Sequence, residues 1–216
     1  MQDRPLLIFD LDGTLVDSFP AIELGLNLAL AEFDLDPINL EWVHRNVGHG
    51  AKKLIGAIPS NGIPPETILN RFKQCFYEVH LENSPPLPGV NDTLLRLARN
   101  HTLAIASNKP LPWVEELLDH HAWTPLMAVI AGPETVGAFK PDPKMLEHIF
   151  EITAYGPDDA LFVGDMPVDV ETGINAGIPV IGVTTGASSR ESLLQAGCTA
   201  VLHSVTDLPR WIGSGS

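Results

Sequence analysis

Cysteine is scarce in this 216-residue chain: Cys75 and Cys198 are the only two, and they stand far apart. That excludes a dense disulfide framework and points to reduced thiols in a cytoplasmic protein. Basic residues are also few, 13 Lys and Arg against 27 Asp and Glu, for a formal net charge of −14. Such a charge disfavours nonspecific binding to nucleic acid or to an anionic membrane. It still permits an anionic small-molecule substrate, because one bound cation or one placed lysine reverses the field locally. No apolar run reaches the length that spans a bilayer. The amino-terminal residues run straight into a strand-like segment, without the layout of a secretory signal. What is present is a 44% hydrophobic composition, enough for a sizeable core, as one large domain or as a core with a smaller insertion. The closing Gly213-Ser214-Gly215-Ser216 reads as a flexible tail.

The apolar run that leads into FDLDGTLVDS (9–18) makes Leu6 to Asp10 a first strand. A long helical region follows, from about Phe19 to Leu81, in which PAIELGLNLALAEF, WVHRNV, GAKKLIGAI and PETILNRFKQCFYEVHL read as four helices, the first with Ser18 as N-cap and Pro20 in its first turn. NSPPLPGV then breaks the pattern as a linker. From Asn91 onward, helices alternate with the short apolar strands LAIASN, MAVIAG, ALFVGD, PVIGVT and TAVLH. Near-continuous apolar strands between helices predict a parallel sheet covered on both faces. The expected architecture is therefore an α/β, Rossmann-like core from residues 1–14 and 88–212. A helical cap, residues 15–87, is inserted after the first strand and joined by two connections near Thr14–Ser18 and Glu82–Pro88. Ligands of such sheets bind at the carboxyl ends of the strands.

The polar residues of interest fall at those ends. Asp10 and Asp12 close the first strand, and Gly13 allows the tight turn that frees their side chains. Residues two apart in a strand share a face, so two like charges would crowd one space and call for a cation or a shared proton. The plainer reading is a solvated strand end. Ser107 and Asn108 close LAIASN, where a hydroxyl and an amide can bind phosphoryl oxygens or simply serve a turn; Lys109 reads as a solvated charge before a proline. Lys140, in GAFKPDP, can neutralise a phosphoryl group or hold a carboxylate ionised, unless it is a solvated lysine at a helix entrance. Asp165 and Asp169, at a strand end and the next helix start, suit an oxygen-liking cation such as Mg2+, although Asp169 alone would also suit the helix dipole.

The ordered set FDLDGTLVDS, SNK, KPDP and GDMPVDVETGINAG resembles the four motifs of the haloacid dehalogenase superfamily, over nearly the whole chain. VGHGAKKLIG, SNKP and KPDP are most similar to phosphoglycolate phosphatases and their near relatives. The resemblance implies a Mg2+-dependent hydrolase of a small phosphate monoester, 2-phosphoglycolate first among candidates. A sugar phosphate, pyrophosphate or a phosphosugar mutase reaction is the alternative, and a non-catalytic phospholigand-binding module the non-enzyme one. It implies Asp10 as the nucleophile that forms an aspartyl-phosphate and Asp12 as the acid and base. Ser107 and Asn108 would hold the phosphoryl group, with Lys140 neutralising charge. Asp10, the Asp12 carbonyl, Asp165 and Asp169 would surround the metal. Asp12 is the residue that dehalogenases of this superfamily lack, and Lys52 and Lys53 do not stand in the context of the Schiff-base lysine of phosphonate-cleaving relatives. In the cap, the turn Gly48-His49-Gly50-Ala51 with Lys52 offers amides and positive charge for the distal end of the substrate, or else merely starts a helix. His120 and His121 fall at a helix end that suits their charge, with nothing to link them to a metal. The expected partner is a small phosphoester and neither nucleic acid nor membrane, with the protein a monomer or homodimer.

Overall fold

A computed structural model describes residues 5–213, so Ser214, Gly215 and Ser216 of the expected tail lie outside the described residues. All six expected strands form: β1 (Leu6–Phe9), β2 (Thr102–Ala106), β3 (Met127–Ala131), β4 (Ala160–Gly164), β5 (Val180–Val183) and β6 (Ala200–Leu202). They make one parallel sheet in the order β3-β2-β1-β4-β5-β6. The chain runs outward from β1 through β2 to β3, then crosses back to β4 on the other side. β1 and β4 thus flank the switch point, where open α/β sheets bind ligands.

Alternation along β1 shows why its run is apolar throughout. Leu7 and Phe9 pack with Leu94, Val114 and Leu117, from α5 (Val90–Leu97) and α6 (Leu111–His120). Leu6 and Ile8 face the opposite layer, with Leu146, Val170 and Leu193 from α8 (Lys144–Thr153), α9 (Pro167–Asn175) and α10 (Arg190–Ala196). Both faces are dry, as expected of a parallel sheet covered by helices. Two short helices were not foreseen: α7 (Pro133–Val136), and α11 (Leu208–Gly213), which takes Gly213 out of the tail.

The inserted region forms α1 (Phe19–Ala31), α2 (Leu40–Asn46), α3 (Ala51–Gly56) and α4 (Pro65–Val79), and these share an apolar core of their own. The third helix is shorter than its pattern suggests: it closes at Gly56, with Ala57 as its C-cap. The two connections pair with each other: Asp17 N–H donates to Pro85 O at 2.9 Å and Leu87 N–H to Leu15 O at 2.9 Å. Among the described residues no helix is long and apolar enough to cross a membrane.

Candidate active site

β1 stops at Phe9, so the period-two rule that placed Asp10 and Asp12 on one face does not extend to Asp12. The chain leaves the sheet through the turn at Gly13, whose φ is +78°. Each carboxylate has its own ammonium. Asp10 lies 2.9 Å from Lys140 Nζ, and Asp12 Oδ1 lies 2.9 Å from Lys109 Nζ. The crowding expected of two like charges is thus relieved by two lysines, each beside its own carboxylate. Asp10, Asp12, Ser107, Asn108, Lys109 and Lys140 all border one cavity of ≈ 80 Å³ between the sheet edge and the helical insertion.

On the Asp10 side, Asp10, Asp165 and Asp169 each present a carboxylate oxygen within 4.8 Å of the others, and all three are buried. Lys140 reaches two of them, at 2.9 Å from Asp10 and 2.6 Å from Asp169. Asp165 is left without a cation; it accepts hydrogen bonds from the Thr14 hydroxyl at 3.3 Å and the Ala187 amide at 2.8 Å. Burial, only partly offset by Lys140 and reinforced by Asp169 and Asp12, pushes the Asp10 carboxyl up to about 6. Burial, then Asp169 and Asp10, holds Asp165 well above the usual carboxylate range. Burial alone would lower Lys140, but Asp10 and Asp169 outweigh it and hold it above its ordinary value. Three buried carboxylates around one ammonium form a hard-oxygen donor set short of positive charge, which fits a divalent cation such as Mg2+. Asp12 does not join this trio through its side chain.

Gly186 makes that arrangement possible, since a Cβ there would stand 1.8 Å from Asp165 Oδ2. We predict that Gly186→Ala, by displacing the Asp165 carboxylate from the trio, raises the Mg2+ concentration for half-maximal activity by about 10- to 100-fold. A metal titration of the purified variant checks this.

Several residues escaped the sequence reading. Lys109 is not a solvated charge: its side chain is 4% exposed and reaches both Asp12 oxygens, at 2.9 and 3.3 Å. Ser18 occupies the N-cap position of α1, but its hydroxyl makes no cap bond and donates instead to Asp12 Oδ1 at 2.6 Å. Asn108 borders the cavity, and its side-chain amide also braces the backbone around it. Its Oδ1 accepts from Lys140 N–H at 2.7 Å, while Nδ2 donates to Lys140 O at 3.3 Å and to Gly48 O at 2.9 Å. It fixes the backbone of Lys140 and ties the insertion to the core. Ser107 is buried at the cavity, its Oγ accepting from Lys109 N–H at 3.3 Å.

On the insertion side, Gly48, Gly50 and Ala51 border the cavity as expected, together with Leu54. Lys52 is not brought there: its side chain is 84% exposed and pairs with Glu66 at 3.3 Å. His49 is exposed and does not line the cavity. Helical phase explains this, because Ala51 and Leu54 share the face turned to the core and Lys52 falls off it. An exposed pair of this kind is worth little, so Lys52→Ala is expected to leave kcat and KM within about twofold, as steady-state kinetics would show. His121, at the end of α6, bonds to Ser84 O at 2.9 Å and lies outside the site.

Residues 7–183 match the model of the family described as haloacid dehalogenase-like hydrolase. The chain belongs to that family. Its relatives include phosphoglycolate phosphatase 1 of Pseudomonas aeruginosa, 34% identical over an alignment of 212 positions that covers 94% of this chain and 78% of that one. The phosphoglycolate phosphatase of Rhodospirillum rubrum is 35% identical over an alignment of 219 positions, gaps included, that covers 96% of this chain and 90% of that one. Among solved structures, a predicted phosphoglycolate phosphatase from Haemophilus somnus superposes with a TM-score of 0.87 at 27% identity, covering 98% of this chain and 99% of that one. Haloacid dehalogenase-like hydrolases thus share this chain's fold from the first strand through the fifth and beyond it.

Proposed function

We propose that the chain is a Mg2+-dependent phosphomonoesterase that works through an aspartyl-phosphate at Asp10, with 2-phosphoglycolate as its substrate. The observation that carries this reading is the pair Asp10 and Asp12 on one cavity, each beside its own lysine, with Asp10 also in a buried acidic trio. The substrate comes from the relatives, which bear the name phosphoglycolate phosphatase at 34 and 35% identity.

In the first step an Asp10 oxygen forms a bond to phosphorus as the bond from phosphorus to the ester oxygen breaks, and Asp12 gives that oxygen its proton. In the second, a water oxygen bonds to phosphorus, Asp12 takes the proton, and the Asp10–phosphorus bond breaks. Lys140, 2.9 Å from Asp10, offsets the repulsion between an anionic nucleophile and an anionic ester. Ser107, with amides at the β2 end, orients the phosphoryl group. Asp10, Asp165 and Asp169, with the Asp12 carbonyl, would hold Mg2+, which when bound would supply positive charge for the phosphoryl group. The paired connections let the insertion swing open for substrate and close over it, and Asn108 secures the closed position through Gly48. The protein acts on a diffusible small molecule in the cytoplasm.

Phosphate release from 2-phosphoglycolate, pyrophosphate and several sugar phosphates, each with Mg2+ and with chelator, tests this. The expected outcome is chelator-sensitive release with preference for 2-phosphoglycolate. Preference for a sugar phosphate would replace the substrate and keep the chemistry, whereas release that persists in chelator would overturn the metal assignment.

A further inference from the structure

The part of the cavity that must hold the leaving group is apolar. Phe19, Ile22 and Leu54 border it from the insertion, joined by Phe72, Phe76 and Trp113. A glycolate leaving group carries a carboxylate, and a carboxylate buried against such a surface needs a charged partner. The basic groups of the insertion do not supply one. Arg45 pairs with Glu41 at 2.6 Å, Lys52 with Glu66 and Arg71 with Glu32, while Lys53 and Lys73 are exposed, and none of the five borders the cavity. His44 lies beside Phe19 with ring centroids 4.3 Å apart and the rings tilted by 47°, and His80 Nε2 faces Glu116 at 3.0 Å.

Among the described residues, only two cations border the cavity, Lys109 and Lys140. Lys140 is held between Asp10 and Asp169, on the metal side. Lys109 lies on the other side, at the seam between core and insertion, with Nζ 4.9 Å from the centre of the Phe76 ring. Its hydrogen bonds reach one acceptor residue, Asp12, although an ammonium offers three donors. Asp12 also marks where the leaving oxygen must sit, since it delivers the proton there. In 2-phosphoglycolate a single methylene separates that oxygen from the carboxylate. An ammonium already in contact with the acid/base carboxylate is therefore in place to meet the substrate's carboxylate as well.

We infer that Lys109 is a specificity-determining residue that binds the carboxylate of the leaving group. The chamber around it rejects larger polar groups and leaves that charge a single partner. This inference rests on the phosphoglycolate reading above and assigns to one side chain the recognition that the turn at Gly48 and Lys52 was expected to perform.

The test compares kcat/KM for 2-phosphoglycolate and for 2-hydroxyethyl phosphate, which replaces the carboxylate by a neutral alcohol, in wild type, Lys109→Met and Lys109→Arg. Loss of a charged hydrogen bond predicts that the ratio of the two values falls by about 10- to 100-fold in Lys109→Met. Lys109→Arg should retain more of the ratio than Met does. Lys109→Met lowering both esters by the same factor would overturn the inference, because Lys109 would then act only through Asp12. Should neither variant fold, the wild-type ratio still decides, and equal use of the two esters would overturn it. Turnover of neither ester by the wild-type enzyme, with another phosphate ester hydrolysed, would remove the phosphoglycolate reading itself and this inference with it.

Discussion

Asp10→Asn is expected to lower kcat by on the order of 10⁴-fold or more, because the amide cannot form the covalent intermediate. The same substitution should make the metal-free protein more stable. Asp10 is one of three buried carboxylates around the single ammonium of Lys140, and Asp169 stays with that ammonium when Asp10 is neutralised. The gain depends on pH in a defined direction. In the folded protein the Asp10 carboxyl titrates at about 6, above its ordinary 3.8, so the folded state holds the proton more tightly than the unfolded chain does. The stability attached to that proton is complete below the unfolded value and is lost as pH rises through the folded one. The advantage of Asp10→Asn over wild type should therefore grow from about pH 4 to about pH 6 and then level off. Melting temperatures of both proteins in chelator, across that range, measure it. A cation bound at the trio reverses this ordering, and saturating Mg2+ should raise the melting temperature of wild type more than that of the variant.

Lys140→Met should fail in the opposite sense on stability while also losing activity. It removes the one ammonium and leaves three acidic side chains buried together, so the metal-free variant should lose roughly 3–5 kcal/mol of stability. Methionine retains the length of the side chain beside the Phe162 ring, where Nζ lies 5.5 Å from the centroid, which confines the loss mainly to charge. Turnover should fall by at least about 10²-fold even at saturating Mg2+, since the nucleophile then approaches the ester without that compensation. Chemical denaturation with and without Mg2+, beside steady-state kinetics, separates the two losses. A variant as stable as wild type in chelator would show that the trio does not depend on Lys140.

The contrast between these two substitutions follows from features that the sequence displays openly. Asp10 and Asp165 follow apolar runs long enough to be read as buried strands, Asp169 opens the helix after the second of them, and a parallel sheet brings neighbouring strand ends together. The same pattern gave the six strands and the four helices of the insertion. Lys109 was misread because its neighbours in sequence say only that a proline follows. Its partner Asp12 lies 97 residues away, and nothing local reports burial. The rule that ligands lie at strand ends, already applied to Ser107 and Asn108, was the signal that could have found it. Ser18 was read as a cap because serine before a helix ordinarily caps it, yet Asp12 takes its hydroxyl instead. The contribution of Gly186 and Ala187 to Asp165 depends on a loop after β5 folding back over β4, which no local pattern encodes. Lys52 attracted notice by charge alone, whereas the phase set by Ala51 and Leu54 already turned it away from the core.

Trapping the covalent intermediate tests the central claim most directly. The wild-type enzyme would be quenched during turnover of 2-phosphoglycolate with Mg2+, reduced with borohydride and mapped by peptide mass spectrometry. An aspartyl-phosphate at Asp10 predicts homoserine at position 10, absent without substrate and absent in chelator. Turnover that proceeds with Asp10 unmodified, or with the label on a different carboxylate, would contradict the account.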